Sequence, residues 1–125
     1  FNYRLPNLNA ALGVAQIEQL PQFIQKKRLL AKNYQDWGNQ AGLTFFTEEK
    51  NAESNYWLNA LILQDKEERN QFLEYTNSNQ VMTRPAWTPM HKLEINQDCQ
   101  YTEMTNTEWL FDRIVNVPSS VVPDE

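Results

Sequence analysis

The chain has little of what most phosphate-binding, metal-binding and nucleophilic motifs require. Its 125 residues include three glycines, one cysteine and one histidine. Three glycines leave no Walker loop and no Gly-x-Gly-x-x-Gly turn to cradle a phosphate. A single Cys and a single His cannot complete a closed zinc site, so no metal is expected. Cys99 has no partner for an internal disulfide and no activating pattern around it, so it reads as an ordinary reduced thiol. No serine sits in a nucleophile elbow, and the acid pairs Glu48/Glu49 and Glu67/Glu68 read as solvated. No apolar run approaches the ~20 residues that a membrane-spanning helix needs. The net charge of −5 argues against a general binder of nucleic acid or anionic membrane, because phosphates demand a basic surface. The one dense basic run, Lys26-Lys27-Arg28, reads as a solvated helix face.

What is present fits one small domain with a real core. Residues 7–20 read as a helix with Asn7 as N-cap. Leu8, Ala11, Leu12 and Ala15 form one apolar stripe, and Ala10, Val14 and Ile17 a second. A helix apolar on two sides must be covered on two sides. In so short a chain that cover is expected from another chain or a further domain. Pro21 predicts a kink or a fresh helix start, with helix over 22–40 and Gly38 and Gly42 as stop signals. Residues 56–63, apolar on both faces, read as a central strand. Asp65 and Glu68 form a capping box ahead of a helix over 66–77. Residues 81–87 read as a strand cut short by Pro85. Residues 88–104 look irregular. Thr105 and Glu108 form a second capping box, and 115–117 a short strand. The expected fold is α/β: a small sheet of three or four strands with helices packed on it, and a long kinked N-terminal helix.

Two stretches carry candidate binding chemistry. Asn2 and Arg4 precede a helix start, a place suited to an anion. A turn with a structural salt bridge is the plainer account of them. In "TRPAWTPMH" (83–91), a guanidinium, an indole and an imidazole flank two prolines. Arg84, Trp87 and His91 therefore suit a rigid ligand-holding loop, or equally a loop with a buried Trp and a surface His. "VNVPSS" reads as a strand end and turn.

Together, "NYRLPNLNAALGVAQIEQL", "KKRLLAKNY", "RPAWTPMH" and "VNVPSS" resemble the C-terminal part of the DegT/DnrJ/EryC1/StrS sugar-nucleotide aminotransferases. Asn2, Arg4, Ala10, Ala11, Gly13 and Gln16 stand where that family's opening motif has them. The form of "RPAWTPMH" is most similar to the subgroup acting in nonulosonic, legionaminic-type acid pathways. The resemblance implies the small C-terminal domain of fold-type I pyridoxal-phosphate enzymes, spanning residues 1–125, with the large cofactor-binding domain absent. It implies pyridoxal 5′-phosphate as cofactor, and amino transfer, with glutamate as the expected donor, to a keto-sugar nucleotide. It implies homodimerisation through helix 7–20, with Asn2 and Arg4 reaching the cofactor phosphate of the partner subunit. Arg84, Trp87 and His91 would line the sugar-nucleotide side of the cleft. Family members are much longer, and none of Lys26, Lys27, Lys32, Lys50, Lys66 and Lys92 lies in a motif like the family's cofactor-bearing lysine. The chain is accordingly expected to hold no catalytic residue, to be inactive alone and to work in the cytoplasm. The rival expectation is a stand-alone dimerisation or interaction module without catalysis.

Overall fold

The computed structural model describes residues 4–121. Helix α1 (Asn7–Ala41) comes first, followed by strands β1 (Thr44–Phe45) and β2 (Asn59–Ile62). Helix α2 (Lys66–Ser78) leads to β3 (Arg84–Pro85). Two single 3-10 turns, Met90–Lys92 and Glu94–Asn96, precede α3 (Thr105–Phe111) and β4 (Ile114–Val117). The strands form one antiparallel sheet in the order β1-β2-β4-β3. This is the expected small sheet with helices packed on it.

Register explains the core. Phe45 pairs with Leu61, and Leu61 with Val115, so one row of apolar side chains crosses three strands on one face. Side chains alternate along a strand, which brings Leu63 and Val117 to the same side. These five residues form the buried cluster, and Tyr34 of α1 and Phe72 and Leu73 of α2 pack against it. Leu61 and Val115 are 1 % and 0 % exposed. Burying each contributes about 1.5–3 kcal/mol. The strand expected over 56–63 is shorter, Asn59–Ile62, because the side chains of Ser54 and Asn55 take the Tyr56 and Trp57 N–H groups ahead of it. Its central place in the sheet is as expected. Pro85 sits on an edge strand, where its missing N–H costs no ladder bond.

The helix starts and stops obey local chemistry, with three departures. Asp65 caps α2 by accepting from the Glu68 N–H at 2.9 Å, while the Glu68 carboxylate takes the Gln64 N–H at 2.6 Å. Gly42 closes α1 at φ 71° in the left-handed region, as a C-terminal glycine does. Of the two expectations at Pro21, a fresh helix start does not occur, because α1 runs 35 residues through it as one continuous helix. The ring deprives the helix of one hydrogen bond on a stretch exposed to water, which can solvate the freed carbonyl. Asn7 is not the N-cap: Pro6 holds that position with no side-chain cap bond. Thr105 does not cap α3 either, since its hydroxyl donates to Glu103 at 2.6 Å.

Two close approaches lock the layers. A Cβ at Gly38 would lie 2.7 Å from Phe45 Cδ2, so only glycine lets α1 lie this near β1. Arg69 of α2 is buried, donates to the Phe111 carbonyl at 2.6 Å and lies over the Phe111 ring, tying α2 to α3.

Candidate functional site

Lys27 and Arg28, neighbours on α1, gather three distant segments. The Lys27 ammonium donates to the carbonyls of Tyr56 (3.5 Å), Trp57 (3.0 Å) and Ser119 (2.6 Å). Burial pulls the Lys27 pKa below its usual range. Arg28 grips Glu48 through two nitrogens, at 2.7 and 3.1 Å, and donates to the Ser54 carbonyl at 2.5 Å. Such a forked pair adds geometric specificity to charge attraction. The Arg28 hydrogen bonds, with help from the Ser54 N–H at 2.6 Å, hold the Glu48 carboxyl below the ordinary carboxylate range.

The turn so anchored is unusual. Tyr56 is buried and has φ 46°, a left-handed conformation that a bulky side chain adopts only when its surroundings impose it. Here they do: its N–H donates to Ser54 Oγ at 3.0 Å, its hydroxyl accepts the Glu48 N–H at 3.4 Å, and Arg28 lies over its ring. The next N–H, that of Trp57, donates to Asn55 Oδ1 at 3.0 Å. Ser119 fastens the far side by accepting the Asn59 N–H at 2.8 Å and donating to the Val117 carbonyl at 2.7 Å. Beside this turn lies a groove of about 760 Å³, whose lining includes Gln19, Gln22, Phe23, Lys26, Asn55 and Trp57.

The residues singled out from the sequence fall in separate surroundings. Asn2 lies outside the described residues. Arg4 is exposed just before α1. Arg84 is exposed on β3, with its guanidinium 3.4 Å from Met82 Sδ. Trp87 is exposed and stacks on Trp57, with ring centroids 6.1 Å apart and planes at 18°. His91 is turned the other way: its side chain is 8 % exposed, its Nε2 lies 2.9 Å from Glu108 Oε1, and its ring meets Tyr101. The bonds from His91, then Lys92, lower the Glu108 pKa. A second cavity of about 360 Å³ borders His91 and Tyr101. Arg84, Trp87 and His91 thus face three different partners. Lys27, Glu48, Tyr56 and Trp57 were not singled out by the sequence. Lys27 lay hidden in a basic run, and Trp57 in what read as a strand. The "SN" pair ahead of Tyr56 was the available turn signal.

Among the described residues no helix is long and apolar enough to cross a membrane. Nor does any group of three or more His, Cys, Asp or Glu stand ready for a metal.

Comparison with known proteins gives one consistent answer. The chain is 31 % identical over 119 residues to GDP-perosamine synthase of Escherichia coli O157:H7, covering 95 % of this chain and 32 % of that protein. It is 30 % identical to GDP-perosamine synthase of Vibrio cholerae, covering 95 % of this chain and 33 % of that protein. The fold superposes on Helicobacter pylori PseC, an aminotransferase involved in pseudoaminic acid biosynthesis. There the TM-score is 0.83 at 17 % identity, over 94 % of this chain and 33 % of PseC. It also superposes on E. coli GDP-4-keto-6-deoxy-D-mannose-3-dehydratase with bound hydrated PLP, with a TM-score of 0.78 at 23 % identity over 98 % of this chain and 35 % of that one. The chain therefore spans about a third of the length of the relatives it matches. Over residues 1–122 it matches one family throughout, and it belongs to the DegT/DnrJ/EryC1/StrS aminotransferase family.

Proposed function

We propose that this chain is the small C-terminal domain of a pyridoxal-phosphate aminotransferase that aminates a keto-sugar nucleotide. Glutamate is the donor, and the product serves surface polysaccharide or nonulosonic acid synthesis in the cytoplasm. The family match over residues 1–122 carries this reading. The names of the relatives supply the substrate class: two of them are GDP-perosamine synthases.

The residues of this chain do not by themselves fit the cofactor. Pyridoxal phosphate needs an available lysine amine. Lys27 is engaged with three carbonyls, Lys32 with Asp36, Lys66 with Asp112 and Lys92 with Glu108, while Lys50 lies exposed on a turn, and none of these stands in a motif like the family's cofactor-bearing lysine. No chemical step is therefore assigned to this chain. Its part is to bind and to shape: a wall for the sugar-nucleotide cleft near Arg84, Trp87 and His91, and polar groups at Asn2 and Arg4 for a partner subunit's cofactor phosphate. Homodimerisation through residues 7–20 agrees with the exposure of Leu8, Leu12, Val14 and Ile17 there.

The test incubates the intact protein with pyridoxal phosphate, glutamate and GDP-4-keto-6-deoxymannose or a UDP-4-keto sugar. Products are then identified by mass spectrometry. An amino sugar together with 2-oxoglutarate is expected. A dehydrated sugar instead would assign the chain to dehydratase chemistry, which the same fold supports in E. coli.

A further inference from the structure

Trp57 and Trp87 are large apolar side chains that the fold leaves in water, 65 % and 72 % exposed. Isolated exposed side chains need no explanation. These two are not isolated, since their rings lie nearly parallel, 18° apart in plane and 6.1 Å between centroids. They come from separate segments, the turn before β2 and the loop after β3, so the fold brings them together. Nor is Trp57 loosely hung. The residue before it is held at φ 46°, its own N–H is taken by Asn55 and its carbonyl by Lys27. A strained, fully tied turn that ends in an exposed indole is what a preorganised contact requires.

We propose that Trp57 and Trp87 form a stacking platform for the nucleobase of the substrate's nucleoside diphosphate. The proposal rests on the aminotransferase reading above. A stack of two indoles presents a further open face, and every base has a flat face to lay on it. The adjoining groove is chiefly apolar, with Leu20, Phe23 and Ile24 in its lining, and a few polar groups stand among them: the amides of Gln22 and Asn55, which suit hydroxyls and base edges, and Lys26, whose charge suits a diphosphate in a chain that is otherwise acidic. Tyr56 and Lys27 are positioning residues that aim the Trp57 ring.

The experiment measures GDP and UDP binding to the intact protein by calorimetry, with methyl α-mannoside as a sugar lacking a base. Trp57→Leu and Trp87→Leu are each expected to weaken nucleotide binding about 10- to 100-fold. Trp57→Phe should retain most of it, because a flat ring remains, and methyl mannoside should not distinguish the variants. Both side chains are exposed, so the variants should keep wild-type circular dichroism. The proposal is overturned if both leucine variants bind GDP and UDP like the wild type while amino transfer persists. It is also overturned if acrylamide reaches neither indole in the unliganded intact protein, which would mean that protein covers them. Wild-type protein that neither binds a nucleoside diphosphate nor transfers an amino group overturns the platform and the aminotransferase reading together.

Discussion

One helix, α1, has two halves with opposite fates. From residue 23 onward it lies on the sheet. Ala31 and Gly38 are buried, Tyr34 packs on the core, and Lys27 and Arg28 reach into the turn at 54–57. Over residues 7–20 it carries as many apolar side chains and buries none, with Leu8 80 % and Ile17 69 % exposed. The two halves differ less in composition than in what faces them. Helical periodicity says that a face wants cover, but not whether the same chain provides it.

The comparison can be sharpened by substitution. Leu61→Ala, under the packed half, should cost about 2–5 kcal/mol in denaturant unfolding, whatever the protein concentration. On the uncovered half, Leu12→Asp should leave folding alone and weaken self-association. The expected effect matches the loss of one buried leucine, about 1.5–3 kcal/mol. Sedimentation that responds no more to Leu12→Asp than to Glu18→Ala would mean that residues 7–20 do not join protomers. The two glycines of α1 give a paired test with opposite signs. Gly38→Ala drives a methyl into Phe45 and should cost about 1–3 kcal/mol. Gly13→Ala meets nothing within 4 Å and should gain about 0.8–1 kcal/mol of helix propensity. Equal thermal shifts in one direction would erase the distinction between the halves.

The smallest effect concerns pH. The Glu48 carboxyl has a lower pKa folded than unfolded, chiefly through its hydrogen bonds from Arg28. Its contribution is therefore present above the unfolded value near 4.5 and is lost as pH falls through the folded value. Glu48→Gln should flatten the melting temperature against pH across that acidic window and leave the profile above pH 7 parallel to the wild type. A variant curve as steep as the wild type there would remove Glu48 from the anchor.

Legibility from sequence followed the strength of the local signal. Asp65 marked the start of α2 because a side-chain acceptor, an acid three residues on and a polar helix all agreed. The same pattern at Thr105 misled, because Glu103 captured the hydroxyl while His91 and Lys92 captured Glu108. Strands β2 and β4 were visible from their apolar residues, but β1 was not, since two residues carry no period. Pro21 predicted a kink or a fresh helix start, and the fresh start was not needed, because water on an exposed stretch can solvate the freed carbonyl. At the site, the motifs at 2–4 and 83–91 were visible as residue types. The partners of Trp87 and Lys27 were not, because those pairings span 29 residues or more and belong to the tertiary fold.

Lys27 has a consequence for how this position tolerates change. A tetrahedral ammonium can send its protons toward carbonyls at 56, 57 and 119 at once, whereas the planar guanidinium of arginine offers its donors in one sheet. Swapping one cation for the other keeps the charge and loses the three-way convergence. Scoring schemes that treat the two as equivalent will thus underrate this site, while at Lys32, which pairs with Asp36 one turn away, they will be right.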